Sequence, residues 1–216
     1  MTPNQITMVR IALAFWAVGL FGRSLWADGA ALVLTISAIG LDALDGYVAR
    51  RRKLSTPLGA QLDILGDRVV ENLFFTFFAV AGLVSLWVPV LFFLRGTLTD
   101  FLRGLAARAG RSGFGKDSML ESWWGRQFVA SRASRATYAA LKCVCFCALG
   151  FELTLLHLPP GQAASDGLGW VPWCVRCLVV VTVVFCVVRA VPVVWEGRRY
   201  IVQLAPEVSQ IAGAAR

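Results

Sequence analysis

The chain has 216 residues, of which 57% are hydrophobic and only 16% are charged. Soluble domains contain roughly 45–50% apolar and about 25% charged residues, so the composition excludes an ordinary soluble domain and predicts a membrane protein. The formal net charge is +8; because the cytoplasmic loops of membrane proteins collect Lys and Arg, this charge indicates topology, and we expect no nucleic-acid partner.

Six apolar segments are long enough to cross a bilayer as helices, which takes about 20 residues each. In chain order they cover residues 5–22, 30–49, 60–84, 87–107, 133–156 and 171–195. No linker, low-complexity tract or internal repeat separates them, so the sequence predicts a single all-α integral membrane domain over residues 1–216. Residues 197–216 are too polar to span and are expected to lie at the membrane interface as an amphipathic helix.

Basic residues predict the orientation of these spans. They follow the second span at residues 50–53, occupy the connection between the fourth and fifth spans, and follow the sixth span at Arg198 and Arg199. By the positive-inside rule, both termini and the connection between spans two and three face the cytoplasm.

The cysteines and the single histidine are assigned no function. Four of the six cysteines lie inside apolar segments, where Cys packs as a small hydrophobe. Cys174 and Cys177 form a lone C-x-x-C, whereas a structural zinc site normally needs four ligands. His157 falls on the side opposite the basic connections.

The stretch DALDGYVARRRKLSTPLGAQLDILGD gathers four aspartates between apolar runs. Asp42 and Asp45 are three residues apart at the end of the second span, and Asp63 and Asp67 are four apart at the start of the third. Each pair therefore shares a helix face, and the short KLSTP turn makes the two helices antiparallel neighbours. Because an unpaired Asp inside a membrane costs on the order of 2.5–3.5 kcal/mol, this cluster predicts a functional site.

Four carboxylates held together need compensating positive charge, because each one raises its neighbour's pKa. An all-oxygen ligand set favours Mg²⁺ or Mn²⁺, and two ions are expected. Gly46, Ala49 and Gly59 leave room for a ligand, and the fork of Arg50 suits phosphate. These residues favour metal-assisted phosphoryl chemistry on a diphosphate, while cation transport and a purely structural ion cluster stay open as alternatives.

The pattern D-x-x-D-G-x-x-A-R-x₈-G-x₃-D-x₃-D, beginning at Asp42 and ending at Asp67, resembles the signature of the CDP-alcohol phosphotransferase family without a departure. The segment PNQITMVR is similar to the P-N-x-x-T-x-x-R segment that precedes the signature in many members. The resemblance covers roughly the first 70 residues closely and extends through the six-span layout to the rest.

The resemblance implies a reaction in which an alcohol hydroxyl attacks the β-phosphorus of a CDP-linked donor and CMP leaves. Asp67 would be the general base, and the metal ligands would be Asp42, Asp45, Asp63 and Asp67. The residues implied in binding the CDP group are Asp42, Gly46, Ala49, Arg50, Gly59, Asp63 and Thr7, with Arg10 closing the pocket beside Thr7.

The resemblance also implies CDP-diacylglycerol as donor, membrane lipids as surroundings, a homodimer, and a cytoplasm-facing site in a bacterial inner membrane. We expect a small phosphorylated alcohol as acceptor, glycerol 3-phosphate first and inositol phosphate next. Inositol, serine and phosphatidylglycerol are the alternatives. The cations predicted to hold the acceptor phosphate are Arg103, Arg126, Arg132 and Arg135.

Overall fold

The computed structural model describes the backbone of residues 3–52, 57–111, 119–158 and 167–214. Within these ranges some side chains lie outside the described part, namely those of residues 42–52, 57–58 and 203–214 and of Pro3, Ala60, Ala130 and Arg132.

Every regular element in these ranges is helical, which confirms the all-α expectation for this part of the chain. The elements are α1 (Pro3–Leu20), α2 (Leu25–Arg52), α3 (Pro57–Val80), α4 (Trp87–Arg108), a short α5 (Trp123–Gly125) that continues into a π-helical turn (Arg126–Ala130), α6 (Arg132–Leu155) and α7 (Val171–Ala214).

Two helices are longer than the sequence predicts. α2 begins at Leu25 rather than at residue 30, because the Ser24 hydroxyl accepts a hydrogen bond from Ala27 N at 3.3 Å and caps the first turn. α7 continues without a break to Ala214, where a separate interfacial helix was expected. Side chains of this extension, Glu196 and Arg199, bind the segment that precedes α5, which stabilises helix beyond the apolar span.

Two of the helices are long and apolar enough to cross a membrane, over Ala133–Leu155 and Val171–Val202. Two shorter apolar helices cover Asn4–Leu20 and Leu25–Leu41. Together they fit a membrane protein, while six spans and cytoplasmic termini stay predictions.

The described chain forms two compact units, the first comprising Met1–Phe92 and Leu141–Val181 and the second Phe93–Ala140 and Thr182–Arg216. In the first unit α1 packs against α2 and α3. Its core is aromatic: the ring of Phe75 lies 4.3 Å from that of Phe92 and 4.9 Å from that of Phe146, measured between centroids. That residues 1–216 form a single membrane domain stays a prediction.

His157 takes part in the first unit, although no sequence pattern assigned it a role. Its Nδ1 lies 2.9 Å from a carboxylate oxygen of Asp28, a residue with no exposed surface. The other oxygen of Asp28 accepts a hydrogen bond from Gly22 N at 2.7 Å, at a turn where Gly22 has a φ of 80°. The Asp28 carboxylate therefore fastens the α1–α2 turn to the end of α6.

The second unit has a core of its own between α4, the residues on either side of α5, and α7. Its fully or almost fully buried members are Ala106, Met119, Leu120, Val129, Val193 and Tyr200. Gly197 allows close packing here, since a Cβ on it would lie 3.0 Å from Leu102 Cδ1. This core holds the chain next to α5 against α7.

Candidate active site

The first half of the aspartate motif lies on α2. Asp42, Asp45, Gly46, Ala49 and Arg50 all fall within this helix, which runs unbroken to Arg52. Their side chains lie outside the described part of the chain, so their roles stay predictions. The second half of the motif is on α3, where Gly59 lies one turn before the first carboxylate.

Asp63 and Asp67 are four residues apart on α3, and the structure brings both to one cation from α1. Arg10 Nη2 lies 3.7 Å from Asp63 Oδ1 and 3.1 Å from Asp67 Oδ1. The side chains of the two aspartates are 51% and 50% exposed, whereas that of Arg10 is only 4% exposed. Both carboxylates are therefore accessible to a ligand, and ion pairs with the buried guanidinium of Arg10 hold them in place.

Gly66 makes this contact possible, and sequence reasoning missed it. A Cβ at Gly66 would lie 2.8 Å from Arg10 Nη2 and 2.8 Å from Thr7 Cγ2. Those distances are shorter than any ordinary carbon contact, so only glycine lets α1 approach α3 this closely. The one available signal was a glycine inside a helix directly before a motif aspartate. Thr7 itself is buried at 2% exposure.

A third carboxylate continues the line one turn further along α3. Glu71 is 2% exposed, and its Oε2 lies 3.2 Å from Arg68 Nη1 and 3.3 Å from Lys142 Nζ. Because a buried charge is costly unless it is paired, these two cations explain how Glu71 can stay inside the unit. α3 thus carries two accessible carboxylates followed by one that is buried and doubly paired.

The described donors fit a hard divalent ion in chemistry, since Asp63 and Asp67 offer carboxylate oxygens on one accessible face. Among the residues that the structure describes, no three His, Cys, Asp or Glu side chains are grouped as a metal site. The remaining predicted ligands are Asp42 and Asp45. Binding of Mg²⁺ or Mn²⁺ therefore stays a prediction that depends on the α2 carboxylates.

The predicted acceptor cations have different surroundings within the second unit. Arg103 lies 3.5 Å from the Asp100 carboxylate. Arg126 is exposed, and its Nε donates to Leu120 O at 3.4 Å. The side chain of Arg132 lies outside the described part, and Arg135 is half-buried close to Arg189.

Sequence reasoning missed a pair of arginines in the second unit, Arg95 and Arg189. Both guanidinium carbons lie 5.3 Å from the ring centroid of Tyr138. Arg189 is 4% exposed and donates to Phe128 O at 2.8 Å and to the Ser134 hydroxyl. The sequence signal was a charged residue inside an apolar run, which marks functional positions in membrane helices.

The arginine pair is rich in positive charge. Arg95 and Arg135 both act electrostatically on Arg189, and each repels it. The Nε atoms of Arg95 and Arg189 are buried and have no hydrogen-bond partner among the described residues. Guanidinium groups gathered in this way favour binding of an anion, and their planar forks suit phosphate.

The fold and the described part of the site define a class: a helical protein with membrane-compatible spans and two accessible carboxylates on one helix face. Residues 1–184 match the CDP-alcohol phosphatidyltransferase family. The chain therefore belongs to that family and is a transferase.

Relatives support this assignment. A CDP-diacylglycerol–glycerol-3-phosphate 3-phosphatidyltransferase of Pseudomonas fluorescens is 41% identical over 69 residues, which cover 32% of this chain and 35% of that protein. A protein of the same name from Yersinia enterocolitica serotype O:8 / biotype 1B is 27% identical over 129 residues, covering 57% and 68%. A cardiolipin synthase (CMP-forming) of Oryza sativa subsp. japonica is 35% identical over 69 residues, covering 32% and 21%.

Proposed function

We propose that the protein transfers a phosphatidyl group from CDP-diacylglycerol to the hydroxyl of a small phosphorylated alcohol and releases CMP. The observation that carries the proposal is the pair Asp63 and Asp67, held accessible on one face of α3 by Arg10. The pair belongs to an aspartate motif whose every fixed position is filled. Glycerol 3-phosphate is the favoured acceptor, in line with the names of the Pseudomonas and Yersinia relatives.

The proposed reaction is a displacement at phosphorus. The acceptor oxygen forms a bond to the β-phosphorus of the donor, the bond from that phosphorus to the CMP oxygen breaks, and the hydroxyl proton passes to Asp67. A divalent ion, when bound, neutralises charge on the diphosphate and on the leaving CMP. Asp63 and Asp67 would hold it with Asp42 and Asp45, while Arg10 fixes the position of the Asp67 carboxylate.

A lipid acceptor is the second candidate, since the Oryza relative is named as a cardiolipin synthase. With phosphatidylglycerol as acceptor, the same motif would release CMP without a soluble phosphorylated alcohol. A homodimer in a bacterial inner membrane, with the site facing the cytoplasm, completes the proposal.

CMP release by the purified full-length chain tests the reaction. The assay supplies CDP-diacylglycerol with each acceptor in turn: glycerol 3-phosphate, inositol phosphate, inositol, serine and phosphatidylglycerol. We expect CMP with glycerol 3-phosphate, and none after chelation of divalent ions. Absence of metal-dependent CMP with every acceptor would overturn the proposal, and CMP with phosphatidylglycerol alone would establish the second candidate.

A further inference from the structure

The surface of the second unit around the end of the apolar part of α7 combines exposed indoles with arginines. Trp123, Trp124 and Trp195 are 66%, 63% and 64% exposed. The guanidinium carbon of Arg198 lies 3.9 Å from the ring centroid of Trp195. Indoles have an apolar body and a polar N–H, so they favour the boundary between hydrocarbon and headgroups.

The exposed side chains of α7 place that boundary. From residue 178 to residue 194 every exposed side chain of this helix is valine. Exposed tryptophans end the apolar stretch at Trp173 and at Trp195, which are 22 residues apart. At 1.5 Å per residue this is about 33 Å of helix, close to the hydrocarbon thickness of about 30 Å. Arg198, Arg199 and Tyr200 therefore belong to the headgroup layer.

Two side chains of α7 fix the segment before α5 at the same level. The Glu196 carboxylate accepts hydrogen bonds from Glu121 N at 2.6 Å and from the Ser122 hydroxyl. Arg199 donates to Met119 O at 2.8 Å. Because Trp123 and Trp124 follow Ser122 directly, their indoles lie near the boundary that Trp195 marks.

A cavity of about 230 Å³ lies beside these hydrogen bonds. It is lined by Ala109, Arg111, Glu121, Arg199 and Tyr200. Its balance of charge is positive. A hydrogen bond and the charge of Arg199 lower the pKa of Glu121, and the charges of Arg111 and Arg126 lower it further. Arg111 and Arg199 thus line the cavity together with one exposed carboxylate, while Glu196 accepts hydrogen bonds from backbone N–H groups.

We propose that this cavity binds the phosphate of an anionic phospholipid headgroup, with Arg111 and Arg199 as the phosphate-binding side chains. The exposed indoles of Trp123, Trp124 and Trp195 contact the adjoining acyl and glycerol region, and Arg198 adds positive charge at the rim. Anionic lipid is favoured over zwitterionic lipid because juxtamembrane basic residues gain about 1 kcal/mol each at an anionic surface. The inference does not rest on the proposed reaction.

Thermal unfolding of the full chain in detergent micelles tests the site, with phosphatidylglycerol or phosphatidylcholine added in increasing mole fraction. Phosphatidylglycerol should raise the Tm of the wild-type protein and phosphatidylcholine should raise it less. Arg111→Gln should increase the mole fraction needed for half of the shift about fivefold, and Arg111→Gln with Arg198→Gln should increase it further. Arg108→Gln, which removes a charge outside the cavity lining, should behave as wild type.

Three results would overturn the inference. Equal shifts with the two lipids would remove the preference for anionic headgroups. Equal effects of Arg111→Gln and Arg108→Gln would show general attraction by surface charge. A shift reproduced by inorganic phosphate alone would show that the ligand is free phosphate. If Arg111→Gln does not fold, Arg198→Gln alone decides, because Arg198 is exposed and its guanidinium lies over the Trp195 ring.

Discussion

Asp67 and Glu71 lie one turn apart on α3, yet their surroundings are opposite. The Asp67 side chain is 50% exposed and contacts one cation, Arg10. The Glu71 side chain is 3% exposed and contacts two, Arg68 and Lys142. Two carboxylates on one helix face therefore differ in burial and in the number of cations that they contact.

An accessible carboxylate can exchange its protein partner for a metal ion or substrate, since water compensates while the contact changes. A buried carboxylate cannot, because removing its partners leaves an uncompensated charge in a medium of low dielectric constant. We therefore propose that Asp67 takes part in the reaction and that Glu71 stabilises the helix that carries it. Substitutions of Asp67 and Glu71 test this difference directly, and substitutions of Gly66 and Glu121 test neighbouring contacts.

Asp67→Asn should have the largest effect. A positioned general base contributes about 10²- to 10⁴-fold to rate, so kcat for CMP release should fall by that factor. Binding of CDP-diacylglycerol at saturating Mn²⁺ should be largely retained, because the other motif carboxylates still hold the ion once its concentration compensates for the weaker affinity. An equal loss of kcat and donor binding would mean that Asp67 acts chiefly as a ligand.

Glu71→Gln should act on stability instead. Breaking a buried ion pair by removing one partner costs about 3–5 kcal/mol, and partial exposure of Arg68 and Lys142 places the expected loss near about 3 kcal/mol. The free energy of unfolding in detergent measures it. The double variant with Lys142→Gln should recover part of the loss, since it removes one of the two cations that faced Glu71. A large fall in kcat for folded Glu71→Gln protein would contradict the proposal that Glu71 acts on stability alone.

Gly66→Ala should have an intermediate effect of about 1–3 kcal/mol, the usual cost of overpacking. The added methyl would push Arg10 and Thr7 away from α3, so the KM for CDP-diacylglycerol should also rise. Gly40→Ala is the matched control, because a Cβ there meets nothing within 4 Å. That variant should be as stable as wild type or more stable. Equal behaviour of the two variants would contradict the close approach of α1.

Glu121 is an exposed carboxylate outside the motif, and the effect of replacing it should be the smallest. Its pKa is lowered by the hydrogen bond and charge of Arg199. The contact therefore stabilises the protein above the ordinary pKa of Glu and is lost as the pH falls through the lowered value. Wild type should be slightly more stable than Glu121→Gln at pH 7, and the difference should vanish in acid. A difference independent of pH would show that charge is not its cause.

Apolar runs predicted the positions of helices well where the helix ends at the residue at which the sequence changes from apolar to polar. The segments 87–107 and 133–156 became Trp87–Arg108 and Arg132–Leu155. The end of α7 could not be predicted from the apolar run, because contacts of Glu196 and Arg199 with a distant segment stabilise the extension. Hydropathy describes a residue's preference for lipid and carries no information about such contacts.

The candidate site was predictable in its motif and less so in its supporting residues. Fixed spacing on helices placed Asp63 and Asp67 on one face, as expected. The approach of Arg10 over Gly66, the pairing of Asp28 with His157, and the arrangement of Arg95 and Arg189 around Tyr138 all join residues far apart in sequence. Only the packing of helices brings these groups together, and no local pattern fixes that packing.

Binding of Mn²⁺ to the full chain, followed by electron paramagnetic resonance of the free ion, tests most directly whether the accessible carboxylates form the metal site. We predict that wild type and folded Glu71→Gln bind Mn²⁺ with similar affinity, and that Asp63→Asn and Asp67→Asn each weaken binding at least about tenfold, or 1.4 kcal/mol. No Mn²⁺ binding by wild type, or equal weakening by Glu71→Gln and Asp67→Asn, would contradict the account.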